Sequence, residues 1–198
     1  MQSQCVIIEF IGIPYSKKTS TIVDLEGILA KRRIQCKVAR EYRGSDKFYA
    51  GNKYSPMVNL LRAVHAVEEI IEHANDPRTD VILIDRGLID AQVWFNWFSE
   101  SQKVPDEFHE TVRSLKKLSK LFCQKYRVVW MDRDPELATY SHGHQGRIIN
   151  LMTLSQLRLS YETVLPEVEK DFVLYRVNSN EDSSNDIAAK LLTQLKLA

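Results

Sequence analysis

Five short apolar runs punctuate the chain: Cys5–Ile11 (CVIIEFI), Cys36–Glu41 (CKVARE), Val81–Asp85 (VILID), Arg127–Asp132 (RVVWMD) and Phe172–Val177 (FVLYRV). Four are rich in β-branched or aromatic residues and have strand length, whereas the second has only Val38 of that type. Longer stretches with helical spacing lie between them. Lys18–Arg33 sets Ile22, Leu25, Ile28 and Leu29 on one stripe, Pro56–Ala74 sets Leu60, Val64, Val67 and Ile71, and Asp106–Gln124 sets Val112, Leu115, Leu118 and Phe122. Asn150–Lys170 and Asp186–Leu197 complete the helical set. Strands alternating with long helices predict βαβ crossovers and an α/β fold, a mostly parallel sheet covered on both faces. Sheets of this kind bind ligands at the carboxyl ends of their strands, so the residues just after each strand are where chemistry is expected.

Composition narrows the function classes without choosing among them. The chain has 198 residues, 44% hydrophobic and 27% charged, which suits one globular domain and excludes a disordered or collagen-like chain. With 27 basic and 26 acidic residues the formal net charge is +1, so the total gives no clear signal for nucleic acid or an anionic membrane as partner. Cys5, Cys36 and Cys123 are widely spaced, which argues against a disulfide framework and for a reducing, cytoplasmic setting. No apolar run approaches a membrane span, and Met1-Gln2-Ser3-Gln4 lacks the basic start of a signal peptide.

The turn after the first strand carries the strongest motif. Gly12, Lys18 and Thr19 occupy the places of a nucleotide-binding P-loop, Gly-x4-Gly-Lys-Ser/Thr, between a strand and a helix. Chemistry explains the spacing. Successive backbone N–H groups wrap phosphates at a helix N-terminus, the lysine reaches the terminal phosphates, and the hydroxyl faces magnesium. Ser16 and Lys17 lie within the same turn. Lys17 stands where the pattern has its second glycine, and its side chain could crowd the phosphates, be tolerated, or add a contact. Alone, the segment also reads as an ordinary βα turn with two solvated lysines.

Further along, Val81-Ile82-Leu83-Ile84-Asp85 ends a buried strand on a carboxylate, the second P-loop signature, where an aspartate holds magnesium directly or through water. Arg86 and Gly87 follow, and a guanidinium at that place can stabilise a transferring phosphoryl group. Alternatively, Asp85 caps the next helix and Arg86 pairs with it. Asp90 could bond a sugar or serve as a cap.

Together these segments resemble the P-loop small-molecule kinases of the thymidylate kinase and deoxynucleoside kinase superfamily. The resemblance runs over FIGIPYSKKT, Arg40-Glu41 after strand two, VILIDRG, VVWMDRDPELA, and a basic loop before a long helix. It implies a P-loop NTPase fold of the nucleotide-kinase type: a five-stranded parallel sheet, flanking helices and a short arginine-bearing lid. It also implies a single kinase-like domain over residues 1–198, with 43–55 on the substrate side and 133–150 as the lid region. The activity implied is magnesium-assisted transfer of the γ-phosphoryl of ATP, with ATP and magnesium as cofactors and a nucleoside, nucleotide or similar small molecule as acceptor. On the matching positions, Gly12, Ser16, Lys17, Lys18 and Thr19 would bind the nucleotide, and Thr19 and Asp85 would hold magnesium with it. Glu41 would take the acceptor's proton, Arg86 would lie near the acceptor, and Arg147, with Arg133 as a second candidate, would supply the lid cation.

Two choices stay open at this level. A hydroxyl acceptor calls for a base such as Glu41, whereas a phosphate acceptor calls for a clamp such as Arg40 or Arg43. The departure at Lys17 also fits a nucleotide-binding pseudokinase that regulates a partner without turnover. An NTPase that drives motion fits less well, because no second domain is evident to move. Trp94, Phe95, Trp97 and Phe98 crowd one helix; part of the cluster must be core, and the rest could stack on a base or form a homodimer contact. His142 and His144 flank Gly143 without further ligands in view for zinc.

Overall fold

The computed structural model describes residues 5–41, 55–101, 104–122, 126–140 and 150–197. Its elements run β1 (Val6–Ile11), α1 (Lys18–Lys31), β2 (Cys36–Ala39), α2 (Pro56–Ala74), β3 (Val81–Asp85), α3 (Leu88–Ser101), α4 (Asp106–Phe122), β4 (Tyr126–Asp132), α5 (Pro135–Tyr140), α6 (Leu151–Asp171), β5 (Val173–Asn178) and α7 (Ser184–Gln194). The strands form one parallel five-stranded sheet in the order β2-β3-β1-β4-β5. This is the predicted α/β architecture. Even the weak second run forms a strand, because as a short edge strand it needs a partner on one side only: Cys36–Ala39 pairs with Val81–Ile84.

Alternation along β1 sorts the core into two halves. Ile8 and Phe10 face α1 and α7, among Ile22, Leu25, Leu29, Ile187 and Leu191. Ile7 and Ile11 face the opposite way, toward α2, α3, α4 and α6. Helix starts follow local chemistry: Ser55 accepts from Val58 N, Asn150 from Thr153 N, and Ser183 from Asp186 N. On α2 the buried stripe is Val58, Ala63, Ala66, Val67 and Ile70, rotated from the predicted one. Val64 is exposed, and Leu60 and Ile71 are only partly covered. The small Ala63 and Ala66 let the helix seat closely, which periodicity of large apolar residues does not register.

The chain leaves β1 for the β2 edge, returns through β3, and crosses to β4 on the other side. A crevice therefore opens at the carboxyl end of β1, where ligands of such sheets bind. Among the described residues no helix is long and apolar enough to cross a membrane.

Candidate active site

The turn between β1 and α1 sits at that crevice. Gly12 has φ +144°, and a Cβ there would lie 2.6 Å from the Met131 carbonyl oxygen and 2.8 Å from Ser16 Oγ. Only glycine fits. Lys17, the residue in place of the second glycine, takes the left-handed conformation such a turn requires, with φ 65° and ψ 12°. Tyr15 does the same with φ 68°. Each such residue costs roughly 1–2 kcal/mol of backbone strain. The Lys17 side chain does not fold over the loop. Its Nζ donates to the Asp182 carbonyl oxygen at 2.6 Å, toward the segment after β5.

Lys18 is buried, and its ammonium donates to Gly12 O and Ile13 O, each at 2.8 Å, and to Ser16 Oγ at 3.1 Å. Burial, helped by the Arg86 charge, brings its pKa down to about 7; Asp90, Asp85 and Glu41 pull the other way. Thr19 donates from Oγ1 to Asp85 Oδ2 at 2.6 Å. The contact follows from the register, because Phe10 on β1 lies opposite Asp85 on β3. Burial raises the Asp85 carboxyl, while Lys18 and Thr19 counter it.

This hydroxyl–carboxylate pair supplies the hard oxygen donors magnesium takes. Among the described residues no group of three or more His, Cys, Asp or Glu could hold a metal without a ligand's help. Two oxygen donors are too few to hold such an ion alone, so the pair fits it only together with further ligands.

On the β2–β3 side lies an ionic cluster. Glu41, just past β2, has Oε1 3.0 Å from Arg62 Nη2 and 3.8 Å from Arg86 Nε. Arg86 also places Nη1 3.5 Å from Asp90 Oδ2, and its guanidinium lies 5.3 Å from the centre of the Trp94 ring. Burial alone would lower the Arg86 pKa; Asp90 and Glu41 outweigh it and keep the guanidinium charged. Asp90 is 1% exposed and accepts from the Tyr161 hydroxyl at 2.5 Å. It is neither a helix cap nor a group open to a sugar. Arg40 turns to the outside and pairs with Glu26 at 3.5 Å.

The start of α3 is capped from a neighbouring strand. Glu9, fully buried on β1, accepts from the N–H groups of Gly87, Ile89 and Asp90 at 2.9–3.2 Å and from the Tyr126 hydroxyl at 2.5 Å. Burial pushes its pKa up to about 7 against these bonds. A Cβ on Gly87 would stand 3.0 Å from Glu9 Cδ, so the glycine makes room for the carboxylate. Arg86 turns the chain with φ 65° between β3 and this capped helix. None of Glu9, Arg62 and Tyr161 is singled out in the sequence analysis. A lone carboxylate in the middle of a central strand was the available signal for Glu9.

On the β4–β5 side, Arg133 is buried, with Nη2 3.4 Å from the Leu137 carbonyl oxygen. Asp132 takes a forked pair of bonds from Arg158 at 3.0 and 3.2 Å. Asp134 Oδ1 accepts from Glu136 N at 2.7 Å, so the aspartate–proline–glutamate run starts α5. Trp94, Phe95 and Phe98 are buried within the chain and Trp97 is half-buried, which commits most of the aromatic cluster to the core rather than to a base or a second copy. Arg43, His142, His144 and Arg147, with most of the 43–55 loop and the 141–149 part of the lid region, lie outside the described residues.

No protein-family model and no curated protein matches the sequence. Solved structures do. A deoxyadenosine kinase from M. mycoides with bound dCTP aligns over 98% of this chain and 100% of its own, at a TM-score of 0.68 and 12% identity. At that identity the likeness concerns the fold alone: the chain shares that structure's α/β architecture, here a five-stranded parallel sheet flanked by helices.

Proposed function

We propose that the protein is an ATP-dependent phosphotransferase that moves the γ-phosphoryl group onto a hydroxyl of a nucleoside or similar small molecule. The observation that carries this reading is Glu41, a carboxylate at the β2 end, ion-paired with two guanidiniums and near enough to Lys18 and Asp85 for its charge to act on both. Arg62 is engaged by Glu41, and Arg40 by Glu26. That arrangement favours a hydroxyl acceptor, which needs a base, over a phosphate acceptor, which needs cations to clamp it. The fold neighbour's description as a deoxyadenosine kinase agrees with a nucleoside acceptor.

In this reading the Gly12–Thr19 turn binds the triphosphate. Phosphate oxygens replace Gly12 O, Ile13 O and Ser16 Oγ as partners of Lys18. Lys17 leaves room for them, since its ammonium is held at Asp182. Magnesium bound with the nucleotide, held by Thr19 and Asp85, would neutralise charge on the phosphates. Glu41 accepts the acceptor's proton as the new oxygen–phosphorus bond forms and the bond to the ADP oxygen breaks. Arg86 stabilises charge on the group in transit, and Arg147 serves as the lid cation.

ADP release measured across nucleosides and nucleoside monophosphates tests this. Turnover is expected with a nucleoside and not with its monophosphate. Lys18→Ala should lower kcat/KM by roughly 10²–10³-fold, and Glu41→Gln should lower kcat by roughly 10²–10⁴-fold with little change in KM for ATP. ATP binding with every acceptor silent would instead establish a nucleotide-binding module without turnover.

A further inference from the structure

One buried carboxylate touches both halves of the candidate site. Asp90 Oδ1 accepts from the backbone N–H of Gly12 at 3.4 Å and from the Tyr161 hydroxyl at 2.5 Å. Its other oxygen lies 3.5 Å from Arg86 Nη1. The phosphate loop, the acceptor-side guanidinium and helix α6 therefore meet on one side chain. Its backbone is pinned as well, because Glu9 holds the N–H of Asp90 at 2.9 Å.

Gly12 has a matching position on the other side. Its carbonyl holds the Lys18 ammonium at 2.8 Å, and its N–H faces Asp90. The φ of +144° between those two peptide groups is one that glycine can readily change. A phosphate that captures Lys18 would release the Gly12 carbonyl, which is one Cα away from the N–H that faces Asp90. A buried carboxylate must keep its charge paired, so a change at one of its donors shifts its hold on the others.

We propose that Asp90 is a positioning residue that couples occupancy of the phosphate loop to the placement of Arg86, through the contiguous chain Lys18, Gly12, Asp90, Arg86, with Tyr161 as its anchor on α6. The coupling rests on the phosphate-loop reading above and adds to it. An empty loop holds Arg86 in one position and a filled loop moves it, so that the acceptor-side cation is set only when a donor is present.

Trp94 reports on this directly, since the Arg86 guanidinium lies 5.3 Å from its ring centre. The full-length chain with Trp97→Phe and Trp130→Phe leaves Trp94 as its one tryptophan. Titration with the β,γ-imido analogue of ATP and magnesium is followed by Trp94 emission, and binding is measured separately by calorimetry. The expected result is an emission change that saturates with binding. Adding Asp90→Asn should abolish that change while the analogue still binds to within about tenfold. Tyr161→Phe, which removes a single phenol oxygen and covers the case of an Asp90 variant that does not fold, should shrink the change. A merely structural role would lower the melting temperature and leave the ligand-induced change intact. Binding with a silent Trp94, an undiminished change in Asp90→Asn, or an undiminished change in Tyr161→Phe overturns the coupling. Absence of binding by calorimetry overturns the phosphate-loop reading itself, and the coupling with it.

Discussion

The two faces of the sheet are built on different principles. Toward α1 and α7 the core is aliphatic and aromatic: Ile8, Phe10, Ile22, Leu25, Leu29, Val129, Met131, Ile187 and Leu191. Toward α2, α3 and α6, Ile7, Ile11, Ile84 and Val128 share the layer with buried Glu9, Asn59, Arg62, Asp90 and Tyr161. Even Asn59 is tied down, donating to the Ala91 carbonyl oxygen at 2.9 Å. The first face holds α1 by contact area, which many apolar residues could supply. The second holds the β3–α3 turn by directed bonds, which few substitutions can reproduce. Support and positioning are thus separated across one sheet.

Breaking the aliphatic face should cost the most stability and the least chemistry. Leu25→Ala is expected to lower unfolding free energy by about 2–5 kcal/mol in a denaturant titration, with the affinity of the folded fraction for ATP unchanged. Glu9→Gln sets an amide N–H against donors that now face a carboxylate. It should cost about 1–3 kcal/mol and, unlike Leu25→Ala, also disturb the Trp94 environment by loosening the Arg86 turn. A variant of either face that behaved like the other would erase the distinction.

Glu9 sharpens the comparison further through pH. Its carboxyl is raised from an ordinary 4.5 to about 7, so the folded state holds the proton more tightly than the unfolded one. The stability it contributes is fully present below about pH 4.5 and is lost as pH rises through about 7. Melting curves across that window should slope downward for the wild type and flatten in Glu9→Gln. At the small end, Asp76→Asn breaks the exposed fork to Arg78 at 3.0 Å and should leave the melting temperature unchanged, because water screens that pair.

The strands and most helices were legible because period and β-branching survive in a single sequence. β3 matches its predicted run end to end, and α2 spans its predicted range even though its stripe turned. The strand–turn–helix course around Gly12–Thr19 was legible from spacing, but the fate of Lys17 was not. Its partner, the Asp182 carbonyl, lies beyond the last strand and reaches the loop only through the sheet order. The same holds for Arg62 with Glu41 and for Tyr161 with Asp90, pairs joined by packing rather than by sequence proximity. Asp90 looked like a cap because a carboxylate near a helix start is usually one; Glu9, from another strand, had already taken that role.

The central claim, that the Gly12–Thr19 turn grips a triphosphate through Lys18, is tested most directly by titrating ATP with magnesium into the wild type and Lys18→Ala at about pH 8 in two buffers of different ionisation enthalpy. Lys18, held near 7 while the loop is empty, is largely neutral there and must take up a proton when phosphates arrive. The expected result is saturable binding with proton uptake in the wild type and its loss in Lys18→Ala. Equal binding by both proteins would contradict it, whereas binding with no buffer dependence would contradict only the lowered Lys18 pKa.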